Sequence, residues 1–164
     1  MVATKTGKWN LDTYVMMTRP APDEQGNLIV TWRRQKGGTF GWALPDLDPD
    51  TGQAHATDGS FICANGTLYG SGTRARQELP GGTSAFSVGA RLSLRYDPAR
   101  GTMHARVNGG GEVLCFTGLR NDLVPAVKLY KEGASCAVVV RMTKTFRLFD
   151  YVVFSIFILH ITHN

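Results

Sequence analysis

Apolar and polar residues alternate over several short stretches between residues 28 and 142. From Ala90 to Tyr96, Leu92, Leu94 and Tyr96 fall on one side and Arg91, Ser93 and Arg95 on the other. That period of two is the spacing of a half-buried strand. Thr102 to Val107 repeats it, with Met103, Ala105 and Val107 set against Thr102, His104 and Arg106. Between these runs, Asp97-Pro98-Ala99-Arg100-Gly101 carries the residues of a tight turn. Leu28 to Trp32, Phe61 to Ala64, Thr67 to Tyr69, Glu112 to Phe116, Leu123 to Leu129 and Ala134 to Met142 read as further strands. Asn65-Gly66 and Asn108-Gly109 mark hairpin turns, since both residue types tolerate positive φ. Pro125 has no N–H to give a ladder, which places it at an edge or a bulge. No segment before residue 142 sustains a helical period. The expectation is an all-β fold, a two-sheet antiparallel β sandwich.

Composition divides the chain. All 19 glycines and 7 prolines lie within residues 1–133, and four phenylalanines crowd into the tail from Phe146 to Phe157. Residues 1–27 are read as a lead-in that could supply a first strand, 28–142 as the sandwich, and 143–164 as an apolar tail. The run Tyr151–Ile161 is about half the roughly 20 apolar residues that a membrane-crossing helix needs, so no stable span is expected. It fits a buried extra element, a membrane-associating end or the product of a shifted reading frame. Net charge is +5, and residues 73–164 carry twelve Lys and Arg against six Asp and Glu. The arginines are dispersed and several fall at polar strand positions, so no nucleic-acid partner is expected. Cys63, Cys115 and Cys136 are far apart and each has apolar neighbours, which suits buried thiols in a reducing compartment. The N-terminus lacks the apolar stretch of a secretory leader, so the cytoplasm or nucleus is expected.

Several residue groups bear on chemistry. No G-x-S-x-G elbow, phosphate-binding glycine loop or H-E-x-x-H pair is present, and the glutamates form no facing pair. The expectation is a protein without catalysis and without a cofactor. Asp46, Asp48 and Asp50 alternate as calcium ligands can, but Thr57 stands where a bidentate glutamate would close the loop. A solvated acidic loop is favoured over a calcium site. Arg74 and Arg76, in a polar stretch, and Tyr130 and Lys131, after the Pro125 strand, are candidate partner contacts, because loops carry recognition residues. Trp42 is weighed as a contact too, with the core favoured.

The ordered set of motifs resembles the SPRY domain. Gly41-Trp42-Ala43-Leu44-Pro45 is similar to that family's early "G-W-A-x-P" segment, and Asp58 to Gly66 to its central hairpin. Val88-Gly89-Ala90-Arg91-Leu92 resembles its "G-D-V-I-G", departing at Ala90-Arg91. Tyr96-Asp97 through Asn108-Gly109 is similar to "D-x-x-x-G-T-x-x-F-x-x-N-G". Phe116-Thr117-Gly118-Leu119 followed by Leu123 to Val127 resembles "F-x-G-L … L-Y-P-A-V". The resemblance spans about residues 28–142. It implies a monomeric β sandwich of the jelly-roll kind that binds a protein or peptide ligand through loops at one end, as a substrate-recognition or adaptor domain. A carbohydrate-binding, lectin-like sandwich using Trp42 and calcium is the rival expectation.

Overall fold

The computed structural model describes residues 2–4, 13–36, 38–47, 59–63, 65–80, 86–129 and 135–139. Tyr130, Lys131, Asp48, Asp50, Thr57 and the 143–164 tail lie outside these residues. The described residues form twelve strands: β1 (Val2–Thr4), β2 (Thr13–Met16), β3 (Leu28–Lys36), β4 (Thr39–Ala43), β5 (Gly59–Cys63), β6 (Leu68–Gly70), β7 (Thr73–Arg74), β8 (Arg91–Asp97), β9 (Thr102–Val107), β10 (Val113–Thr117), β11 (Val124–Leu129) and β12 (Ser135–Val139). They pair antiparallel in a seven-stranded sheet, β1-β12-β3-β8-β9-β10-β7, and a five-stranded sheet, β2-β11-β4-β5-β6. No helix of the described residues is long and apolar enough to cross a membrane.

The alternation seen in the sequence becomes the two faces of the larger sheet. Leu92, Leu94 and Tyr96 of β8 and Met103 and Ala105 of β9 are buried, beside Leu28, Val30 and Trp32 of β3. From the smaller sheet, Phe40, Trp42, Ile62, Leu68 and Val127 close the same core. Strand side chains point alternately to opposite faces, so Ile29, Thr31 and Arg33, with Arg91, Ser93 and Arg95, line the outer face. Trp32 packs on Phe40 across the sheets, with ring centroids 5.8 Å apart.

Three features depart from the strand pattern expected. β3 runs to Lys36 rather than ending near Trp32, because its polar continuation pairs with β12 and β8. The lead-in supplies two strands, β1 against β12 and β2 against β11. Pro125 sits in neither an edge strand nor a bulge, since β11 is flanked by β2 and β4. The ladder to β2 ends there instead. Its last register pair is Met16 with Ala126, and Met17 N–H still donates to the Pro125 carbonyl (2.9 Å). In an antiparallel pair one residue's N–H and C=O point the same way, so the missing donor falls where β2 stops.

Candidate functional site

The loops gather at the two ends of the sandwich. At the first end, the 98–101 turn meets the 118–123 loop, where Leu119 N–H donates to the Gly101 carbonyl (3.0 Å). Gly101 has φ +60, and a Cβ on it would lie 2.6 Å from the Leu119 carbonyl oxygen, so this approach requires glycine. The Tyr96 hydroxyl donates to the Arg120 carbonyl, and Arg19 donates to the Asn121 carbonyl (2.6 Å). Burial pushes the Tyr96 hydroxyl pKa up to about 12. Arg120 and Asp122 pair at 2.5 Å on the surface. Asp46 is exposed on the loop after β4. Among the described residues, no group of three or more His, Cys, Asp or Glu could share a metal ion.

The second end is built from the Asn65-Gly66 turn, the 77–80 segment and the β9–β10 hairpin tip. Leu68 N–H donates to the Gln77 carbonyl (2.9 Å) and Leu79 N–H to the Gly66 carbonyl (2.9 Å), which fold the 77–80 segment onto β6. Leu79 is thereby buried. Between this segment and the hairpin lies a half-open hollow of about 250 Å³, lined by Leu79, Pro80, Ala105, Val107, Val113 and the Asn108–Gly111 tip. Asn108 takes φ +51, a conformation to which asparagine is suited, and its side chain accepts the Arg91 N–H (2.9 Å). The tip is therefore set by its own chemistry.

Arg74 and Arg76 lie where the chain passes from the smaller sheet to the larger one. Arg74 Nη1 donates to the Leu68 carbonyl of β6 (3.1 Å), and Arg76 Nε donates to the Leu114 carbonyl of β10 (3.0 Å). The two guanidinium groups thus brace that edge of the sandwich. Arg74 is exposed and Arg76 half-buried. Tyr130 and Lys131 follow Leu129, at the end of β11 where Lys128 pairs with Thr39.

Trp42 does not face a partner. It is 0% exposed and packs on Tyr96, so the core reading replaces the contact reading. A fully buried indole also offers no platform to a sugar ring. Asp46 and the arginine pair are not brought together: Asp46 belongs to the loop at the first end, whereas Arg76 is bonded to β10 beside the hollow. The hollow itself carries no sequence signal. Its walls come from residues about 30 positions apart in the sequence, and no local motif announces it.

Cys115 and Cys136 are buried and Cys63 is half-buried. Burial pushes the Cys115 thiol up to about 12 and raises that of Cys63, so both stay protonated and unreactive near neutrality. On the outer face of the larger sheet, His104 stands opposite Arg95. Burial, with Arg95 adding to it, holds His104 below the usual imidazole range. Arg95 forks onto Glu112, with Nη2 to Oε2 at 2.7 Å, and also donates to the Asn27 side chain (3.1 Å).

No protein-family model matches this sequence, and no curated protein is significantly similar to it. Solved structures are similar in fold. The SPRY domain of human HERC1 aligns with a TM-score of 0.63 and 18% identity, over 84% of this chain and 86% of that one. A human SPRY domain aligns with a TM-score of 0.61 and 17% identity, over 84% and 89%. The PSpry domain of TRIM65 aligns with a TM-score of 0.50 and 15% identity, over 70% and 65%. The element order, the two antiparallel sheets and these alignments agree that this chain has the fold of a SPRY domain.

Proposed function

We propose that this chain is a non-catalytic protein-interaction module that captures a peptide or protein surface through the second end of its sandwich. The hollow between the 77–80 segment and the β9–β10 hairpin carries this reading. At about 250 Å³ it is smaller than the roughly 300–1,000 Å³ of typical small-molecule sites, and suits one apolar side chain of a ligand. Its walls are Leu79, Pro80, Ala105, Val107 and Val113, with no acid, base or nucleophile among them. Arg76 and Arg74 stand on the adjoining edge, each with N–H groups beyond the one spent on a backbone carbonyl. Those donors suit the carbonyls or carboxylates of a bound peptide. Tyr130 and Lys131 belong to the proposed set by their place after β11. A substrate-recognition or adaptor role, in the cytoplasm or nucleus, would follow from such capture.

The test selects peptides from a random displayed library against the full chain, then measures their affinity for variants. Gly111 lines the hollow and a Cβ there meets nothing within 4 Å, so Gly111→Trp obstructs the hollow without backbone strain. Selected peptides should lose binding to Gly111→Trp and to Arg76→Ala while thermal unfolding of Gly111→Trp stays unchanged. Failure to enrich any peptide, or equal binding to Gly111→Trp, would overturn the reading. Retention on immobilised sugars that a chelator abolishes would instead favour the calcium-dependent lectin alternative.

A further inference from the structure

The outer face of the seven-stranded sheet carries a basic cluster that forms no ion pair among the described residues. Arg33 of β3 and Arg91 of β8 are direct cross-strand partners. Arg106 of β9 stands opposite Ser93, two residues along β8 from Arg91 and on the same face. All three are exposed. Neighbouring strands lie about 4.8 Å apart, so the three guanidinium groups are rooted within roughly 10 Å across the sheet. The ion pairs among the described residues are Arg95–Glu112, Arg100–Asp97 and Arg120–Asp122, and none includes this trio. Glu112 does sense Arg106 electrostatically, but its carboxylate is committed to the Arg95 fork. Like charges placed directly opposite each other in a sheet are destabilising. The fold therefore tolerates a repulsion here that a threonine or serine at either position would remove.

The floor between the arginines is low and polar. Thr31 and Ser93 are cross-strand partners whose hydroxyls share a hydrogen bond of 2.7 Å. The two exposed large hydrophobic residues of the described chain border the cluster. Ile29, 47% exposed, is on the same face of β3 four residues before Arg33. Val88, 67% exposed, is in the loop whose Gly89 N–H donates to the Arg34 carbonyl (2.8 Å). Four residues of strand span roughly 13 Å.

The geometry points to a second interaction surface on this sheet face, fitted to a short acidic peptide segment of a protein partner that carries an apolar residue about four positions from its carboxylates. The carboxylates sit over Arg33, Arg91 and Arg106, and the apolar residue covers Ile29. Nucleic acid is the poorer match. Single strands need aromatic platforms for their bases, and the outer-face positions of β3, β8 and β9 hold no Phe, Tyr or Trp. A polyanion tracking along the strands would also meet Glu112 and Asp23 at the Arg95 end, where Asp23 is bonded to Asn27. This surface is a sheet face, distinct from the edge hollow, and does not depend on it.

The test uses the full chain and a fluorescent peptide with two adjacent glutamates and a leucine four residues away, read by fluorescence anisotropy. Arg33→Gln/Arg91→Gln should bind about tenfold more weakly, a difference of about 1.4 kcal/mol. Arg100→Gln/Arg120→Gln, the same loss of two charges at the first end, should leave affinity unchanged. A peptide with glutamine for glutamate should fail to bind, and replacing the leucine by serine should weaken binding. Equal weakening by Arg100→Gln/Arg120→Gln would reduce the effect to net charge and overturn the site. So would absence of peptide binding to the unaltered chain, or tighter binding of a single-stranded oligonucleotide than of the peptide.

Discussion

The indole of Trp42 on β4 packs against the ring of Tyr96 on β8, with centroids 5.0 Å apart and ring planes inclined by 44°. The contact joins the two sheets directly above the 118–123 loop, which the Tyr96 hydroxyl holds through the Arg120 carbonyl. A rigid sandwich with pre-set loops is what a binding module needs, because flexible loops spend affinity on ordering.

Truncating Trp42 should therefore destabilise the whole domain. Trp42→Ala is expected to cost about 3–5 kcal/mol, the range for a buried large aromatic. The Trp42 Nε1 has no hydrogen-bond partner among the described residues. Trp42→Phe removes that unsatisfied donor with part of the ring and should cost markedly less. Urea unfolding of the two variants checks the order, and equal losses would show that the contact is not a packing term.

Tyr96 gives the fold an alkaline limit. Its folded-state pKa is about 12, raised from 10.0 by burial, so the folded state resists its ionisation. Stability is intact below pH 10 and falls as the pH rises from about 10 toward 12, because the unfolded chain then releases the proton more readily. Tyr96→Phe should flatten that decline while losing about 1 kcal/mol at neutral pH with the hydrogen bond to Arg120. Chemical unfolding at stepped alkaline pH distinguishes the two effects.

The acid side is governed by the outer face. Hydrogen bonds from Arg95 hold Glu112 below its usual pKa of 4.5. A depressed carboxylate contributes stability that is present above pH 4.5 and is lost as the pH falls through the folded-state value. Glu112→Gln should lower stability at pH 7 by up to about 1 kcal/mol, since the pair is partly exposed. The gap from the parent should close on acidification. A gap that persists undiminished at low pH would assign the loss to packing instead.

Much of this architecture is legible in the chain itself, for reasons that differ from element to element. β8 and β9 show their alternation because one face is buried and the other wet. The second half of β3 is hidden, since Arg33-Arg34-Gln35-Lys36 reads as a polar loop. In fact Arg34 is recruited to the interior by a hydrogen bond to the Phe86 carbonyl and by its position 5.5 Å from the Phe86 ring centre. β7 is two residues long and exists through its pairing with Thr117 and Phe116, a non-local condition. Arg74 and Arg76 stand out as loop arginines, but their bonds to Leu68 and Leu114 depend on strands that fold elsewhere. Arg91 and Arg106 show in the sequence only as polar strand positions, because periodicity reveals sides, whereas register decides that they meet Arg33.

Close approach at Gly70 makes a further substitution informative. Gly70 has φ +128, and a Cβ there would fall 2.0 Å from the Gly59 carbonyl oxygen. Gly109 also has positive φ (+76), but nothing lies within 4 Å. Gly109→Ala should cost only the left-handed backbone term, about 1–2 kcal/mol. Gly70→Ala must in addition displace β5 from β6 and should cost more, with a lower thermal midpoint. Equal midpoints would show that the β5–β6 pair yields freely.

The like-charge pair at Arg33 and Arg91 makes the opposite kind of prediction, a substitution that stabilises. Arg91→Thr removes the repulsion across β3 and β8 and places a strand-favouring side chain next to the Thr31–Ser93 hydroxyl pair. The expected gain is about 0.2–1 kcal/mol, or roughly 1–3 °C in the thermal midpoint. Repulsion between exposed charges is screened by salt, so the gain should shrink as ionic strength rises from about 0.05 M to 0.5 M. A midpoint that drops in Arg91→Thr would mean that the Arg91 stem covers apolar surface and outweighs the charge. A gain that persists at high salt would assign it to strand propensity alone. A salt-sensitive gain, together with weaker capture of the acidic peptide by the same variant, is the signature of a position held for binding at the expense of stability.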